Sequence, residues 1–198
     1  MRSATFSFVI LIASSSAMLA QTATKVAPAS QQIAAAVLAL PEELRDGATV
    51  LGYAAPDKLV PLRQGKNDMI CLATDPTVAD FHVSCYHKSM EPFMARGREL
   101  RAQGVKGPQV DTVRFAEVKS GKLKMPSQPA ALYQLFGKPG SYDAATNRVA
   151  DAQTLYVVYM PFATASSTGL SPKPKAGTPW IMFPGTPKAH IMFTPSMR

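Results

Sequence analysis

The 198-residue chain is poor in the residues that usually announce a function. It has three histidines, two cysteines and one tryptophan. It has no His-Glu-x-x-His, no His-x-His and no Gly-x-Ser-x-Gly. That leaves it without the spacings of a zinc protease, a histidine metal clamp or a serine-hydrolase elbow. No Gly-rich phosphate loop is present: Gly137-Lys138-Pro139-Gly140 has neither the spacing nor the following helix. No internal repeat or coiled-coil heptad appears. No apolar run approaches the ~20 residues a membrane-spanning helix needs. Acidic residues are scarce beside basic ones, 13 against 21, for a formal charge of +8. Aromatic residues are not interleaved with the basic ones, so nucleic acid is not an expected partner. An excess of positive charge favours anionic envelope surfaces or acidic ligands.

What is present begins with an export signal. Arg2 precedes the apolar run 6–13, and small residues follow to Gln21. A basic end, a short apolar core and a small-residue exit make a secretory leader. Residues 1–20 are therefore expected to be a cleaved signal peptide, with Ala17, Ala20 and Ala23 as alternative cleavage positions. Residues 21–29 are expected to form a flexible mature end, and 30–198 a single domain. The mature chain is expected in the periplasm or the extracellular medium, soluble and without a membrane anchor.

In an oxidising compartment an even cysteine count suggests a bridge. Cys71 and Cys85 lie on two strand-like segments, 68–73 and 80–86, joined by the turn-forming 74–79. A symmetric fold-back about Val78 puts them opposite each other, within reach of a disulfide. A reactive thiol or a thiolate metal ligand is the alternative.

The rest of the chain reads as α+β. A short Ala-rich helix follows Ser30, and a second begins at Pro41. Segments 48–53, 58–63, 68–73 and 80–86 read as an antiparallel meander. Pro61 places the second of these at an edge or a bulge, because proline has no N–H for the ladder. One main helix is expected over 90–103, with Met90, Phe93, Gly97 and Leu100 toward the sheet it covers. Weak alternation over 113–118 suggests a strand, and 130–136 another. Segment 155–160 is apolar enough to expect burial on both faces in mid-sheet. A loop over 163–179 and a terminal hairpin, 180–183 with 190–193, complete the sheet.

Three phrases, 46–53, 69–72 and 184–192, resemble a family of exported bacterial proteins of uncharacterised activity. The resemblance runs from about residue 40 to the end. It implies a bacterial source and a single structural unit, and no cofactor or activity.

Candidate site residues follow from chemistry. His82 shares a strand face with Ser84 and Tyr86. His87 ends that strand, and His190 opens the last one. If the first and last of these segments were neighbours, the histidines would converge, with Tyr86 and Trp180 nearby. Met69, Met90, Met94 and Met192 are close in sequence, so a soft His/Met copper site is one expectation. Core filling is the other. Trp180, Tyr156, Tyr159 and Phe162 are candidate pocket walls under a 163–179 flap carrying Lys173 and Lys175. Catalysis would need Cys85 with His82 or His87, or a hydroxyl among Ser166, Ser167 and Thr168. The function classes carried forward are a non-enzymatic binder of a small molecule or metal, an envelope structural or protein-interaction module, and a His-dependent hydrolase.

Overall fold

The computed structural model describes residues 26–175 and 177–194. The expected leader and its cleavage positions lie outside these residues.

A helix α1, Ala29–Ala36, runs into a 3-10 turn at Val37–Ala39, and a short α2 spans Glu42–Arg45. Strands β1 (Thr49–Ala55) and β2 (Lys58–Arg63) form an antiparallel hairpin. Strand β2 is an edge, as Pro61 requires. Strand β3 (Met69–Leu72) does not continue a meander. It pairs with β1, in parallel, and then with β4 (Phe81–His87), antiparallel. The cause is a tight crossing between β2 and β3. Lys66 and Asn67 donate their N–H groups to the Gly47 carbonyl at 2.7 and 2.9 Å. Gly65 passes so close to β1 that a Cβ there would sit 2.3 Å from the Thr49 nitrogen. Only glycine fits, and the chain emerges on the far side of β1.

After β4 come helices α3 (Glu91–Ala102) and α4 (Gln109–Lys119), then β5 (Ala130–Gly137). A small ribbon, β6 (Tyr142–Asp143) with β7 (Arg148–Val149), precedes β8 (Gln153–Tyr159). The 163–179 segment contains a one-turn α5, Ala165–Thr168, closed by a Thr164/Ser167 capping box. Strands β9 (Trp180–Met182) and β10 (His190–Phe193) form the terminal hairpin. The main sheet has eight strands in the order β2-β1-β3-β4-β5-β8-β10-β9. All pairings but β1–β3 are antiparallel, giving a single α+β domain.

Segment 113–118 is helix, not strand. The residues α4 buries are Val110 and Arg114, four apart. With an arginine in the middle of the buried stripe, the helical period is invisible to hydropathy.

Both faces of the sheet are partly covered. Val50, Cys71, Val83, Cys85 and Leu135 pack toward α1 and its 3-10 extension. Tyr86, Leu132, Val157 and Tyr159 face the opposite way, with Met90 and Phe93. Helix α1 covers only part of its face. Strand β8 is therefore not buried on both sides: Val157 and Tyr159 are buried, but Tyr156 is 39% exposed. Cys71 and Cys85 are directly opposed on β3 and β4, and they form a disulfide. The bridged Cys85 sulfur lies 3.3 Å from the Ala36 carbonyl, a contact without a proton that pins α1 over the bridge.

Candidate functional site

The histidines do not meet. His82 and His87 are at opposite ends of β4 and on opposite faces, about 17 Å apart at ~3.4 Å per residue. Strands β5 and β8 stand between β4 and β10, which puts His190 three strand spacings away, roughly 14 Å. His82 stacks on Phe136 at 4.5 Å and accepts from the Gln134 amide at 3.1 Å. His190 is 5% exposed and donates from Nδ1 to the Lys188 carbonyl at 2.6 Å. Burial holds both imidazoles below their ordinary pKa. Met69 and Met90 are buried in the two separate cores. Among the described residues, no group of three or more His, Cys, Asp or Glu side chains is placed to hold a metal ion.

Tyr86 is buried, its phenol donating to Glu91 and accepting from Arg98 Nη1 at 2.9 Å. Burial pushes that phenol far above its usual pKa, so it is a structural hydrogen bonder. Trp180 is half-buried on β9, opposite Met192. Tyr156 and Tyr159 point to opposite faces, so no common pocket forms with Trp180 and Phe162.

One histidine has a hydroxyl partner. His87 Nδ1 is 2.8 Å from Ser89 Oγ, and Nε2 is 3.7 Å from Asp68 Oδ2. Nδ1 also accepts from the Ser89 backbone N–H at 3.3 Å, so His87 caps the turn that leads into α3. Asp68 is held by Lys88 at 2.7 Å.

A charged cluster joins the terminal hairpin to the helices. Asp111 accepts from Lys188 Nζ at 2.8 Å and pairs with Arg114. Arg114 is 4% exposed, lies 3.8 Å over the Phe93 ring and donates to the Phe93 carbonyl at 3.0 Å. Burial alone would raise the Asp111 pKa, but hydrogen bonds from Lys188 and Arg114 hold it below the usual carboxylate range. Tyr159, buried beside them, is pushed up to about 12. Asp111 ties Lys188 and Arg114 into a clasp, with the buried Arg114 Nε left without a hydrogen-bond partner among the described residues.

A cavity that none of these residues lines lies at the start of α1. A cavity of ≈ 230 Å³ opens between α1, the 73–80 loop and β6. Its wall includes Phe81 stacked on Tyr142 at 5.3 Å, with Ala35 from the helix. Gln32 fixes the helix to β1: its Nε2 donates to the Tyr53 carbonyl at 2.9 Å and its Oε1 accepts from Tyr53 N–H at 2.7 Å. The loop is shaped by Asp75, whose Oδ1 accepts from Thr77 N–H at 2.8 Å and Thr77 Oγ at 2.7 Å. Asp75 and Asp80 are the only charged residues among the described lining. An apolar, aromatic wall with Asp75 and Asp80 as the charged residues of its described lining suits a small ligand with an apolar body and a positive end, and Asp75 also borders the groove that holds Arg98 and Arg101. None of His82, His87, His190, Tyr86 or Trp180 lines it. Its parts come from four separate stretches of sequence, 26–35, Tyr53, 73–81 and 140–142, of which only the Asp75–Thr77 turn carries a local signal.

Comparison of the chain with protein families, curated proteins and solved structures finds no match.

Proposed function

We propose that this protein is an exported, non-enzymatic binder of a small molecule, and that the ligand is a small organic cation held in the cavity beside α1. The carrying observation is the pairing of an aromatic wall, Phe81 on Tyr142, with Asp75 and Asp80 as the charged lining of that cavity. This acidic spot stands out in a chain of formal charge +8. Drug-sized ligands fill roughly 300–1,000 Å³. The smaller space here favours a single-ring amine. The histidines stand apart, and Met90, Met94, Met125 and Met192 pack in one apolar core as side-chain filling, which moves the reading from metal to organic ligand.

The test is thermal unfolding with three probes of similar shape: benzylamine, benzyl alcohol and benzoate. A ligand that binds only the folded state raises the melting temperature. Benzylamine should raise it, benzyl alcohol less, and benzoate not at all. Ala35→Leu, which fills the cavity, should abolish the effect, and Asp80→Asn should weaken it. Equal responses to all three probes, or a response surviving Ala35→Leu, would remove the assignment.

A hydrolase reading has one observation in its favour, the Ser89 hydroxyl on His87 Nδ1. A fluorophosphonate probe that labelled Ser89, and failed to label His87→Gln, would support it over the binding reading.

A further inference from the structure

The backbone places two large aromatic residues where L side chains are rarely found. Among the described residues, four non-glycine residues have positive φ: Asn147, Asp151, Phe162 at 64° and Phe183 at 54°. Asn and Asp tolerate that region, but phenylalanine gains nothing from it. Both rings are also exposed, Phe162 at 54% and Phe183 at 38%. They sit on adjoining turns: Phe162 N–H donates to the Thr186 carbonyl at 2.9 Å, and Gly185 N–H to the Ala163 carbonyl at 2.8 Å. Lys188 Nζ lies 4.7 Å from the Phe183 ring. Next to Phe162 is a shallow groove of ≈ 560 Å³ shared with Met125, Met160 and Lys124.

Lys124 lines the groove beside Phe162, and Lys119 and Lys122 belong to the same 118–124 segment. Lys119, Lys122 and Lys124 are exposed and make no ion pair with any described residue. The neighbouring acids are already engaged, Glu117 by Arg96 and Asp111 by Lys188 and Arg114. The nearest sheet edge, β9, is capped by Ile181 N–H donating to the Ser171 carbonyl at 3.0 Å, so an added peptide strand has less to pair with.

We infer that this end of the molecule is a membrane-contact tip, with Phe162 and Phe183 entering the headgroup region of an anionic bilayer while Lys119, Lys122 and Lys124 meet its lipid phosphates. An open Phe162 ring and a Phe183 ring that rests on His190 at 5.8 Å with its outer side exposed, beside unpaired lysines, match a flat, fluid, negative surface in both shape and charge. Strained backbone holding exposed rings is then explained by what the rings touch.

The experiment is co-sedimentation with large vesicles, either phosphatidylcholine alone or phosphatidylcholine mixed with phosphatidylglycerol. The protein should sediment with the mixed vesicles and not with the neutral ones. Burying a phenyl ring in lipid is worth roughly a tenfold change in partitioning. Phe162→Gly with Phe183→Gly should therefore cut partitioning at least ~10-fold. Glycine accepts both φ values, so the variant should keep its circular-dichroism spectrum. Reversing the three lysines to Glu should weaken binding and flatten its salt dependence. Several results would overturn the inference. They are no sedimentation, sedimentation unchanged in the double glycine variant, or release by soluble polyglutamate as complete as the salt effect. The last would mean that an acidic polypeptide is an equally good partner.

Discussion

Gln32 shows how one side chain can do the work of a strand neighbour. Its amide satisfies both backbone groups of Tyr53, and Gly52 leaves it room, since a Cβ there would come 2.6 Å from its Oε1. Gln32→Leu strands both Tyr53 groups and the Ala27 carbonyl and should cost about 2–4 kcal/mol in urea unfolding. It should also loosen the cavity wall and weaken benzylamine binding. Asp111 is the second sensitive residue. Asp111→Ala leaves Arg114 buried without its carboxylate, and should cost about 3 kcal/mol, below the full buried-pair range because Asp111 is partly exposed. With its pKa held low, Asp111 contributes stability above its unfolded value of about 3.9, lost as pH falls through the lower folded value. His82 and His190 act in the same direction. Their folded pKa values lie below the unfolded value of about 6.5, so the unfolded state gains protons first. Melting temperature should drop as pH falls below about 6.5, and His190→Asn should flatten that drop.

At the scale of elements, the main-sheet strands were legible, while the β6–β7 ribbon, helix α4 and the one-turn α5 were not. Runs such as Met69–Leu72 and Phe81–His87 carry β-forming residues between turn formers, and the cysteines fixed their register. Helix α4 was hidden because Arg114 occupies its buried stripe and is solvated by Asp111 and the Phe93 carbonyl, contacts that no local pattern reveals. The parallel β1–β3 pairing was hidden for a different reason. Residues 64–68 look like an ordinary turn, and only the packing of Gly65 on the β1 backbone shows that the chain crosses. The disulfide spans 14 residues and closes the β3–β4 pair. Replacing both cysteines by alanine should lower stability by about 3 kcal/mol. The cavity lies beside the 73–80 loop rather than on the bridge, so benzylamine binding should survive at temperatures where the variant is folded.

For the whole molecule, strand order decides which residues can cooperate. Inserting β5 and β8 between β4 and the terminal hairpin separates His82 and His87 from His190, and sequence distance gave no warning of it. The same order leaves the cavity to residues near 26–35, Tyr53, 73–81 and 140–142, stretches joined only after the sheet forms. Its components are ordinary one by one: a glutamine, a Thr-Asp-Pro turn, a tyrosine on a two-residue strand. The two phenylalanines at positive φ each carry a backbone cost of about 1–2 kcal/mol, which is unusual for exposed residues. Phe162→Gly alone should therefore melt no lower than the parent protein, whereas a structural role for the ring would lower the melting temperature.

The most direct test of the ligand assignment is an amide NMR titration of the mature protein with benzylamine. The account predicts saturable shifts concentrated at Gln32, Thr74, Asp80, Phe81 and Tyr142, absent with benzoate. Shifts centred instead on His87 and Ser89, or on no common surface, would contradict it.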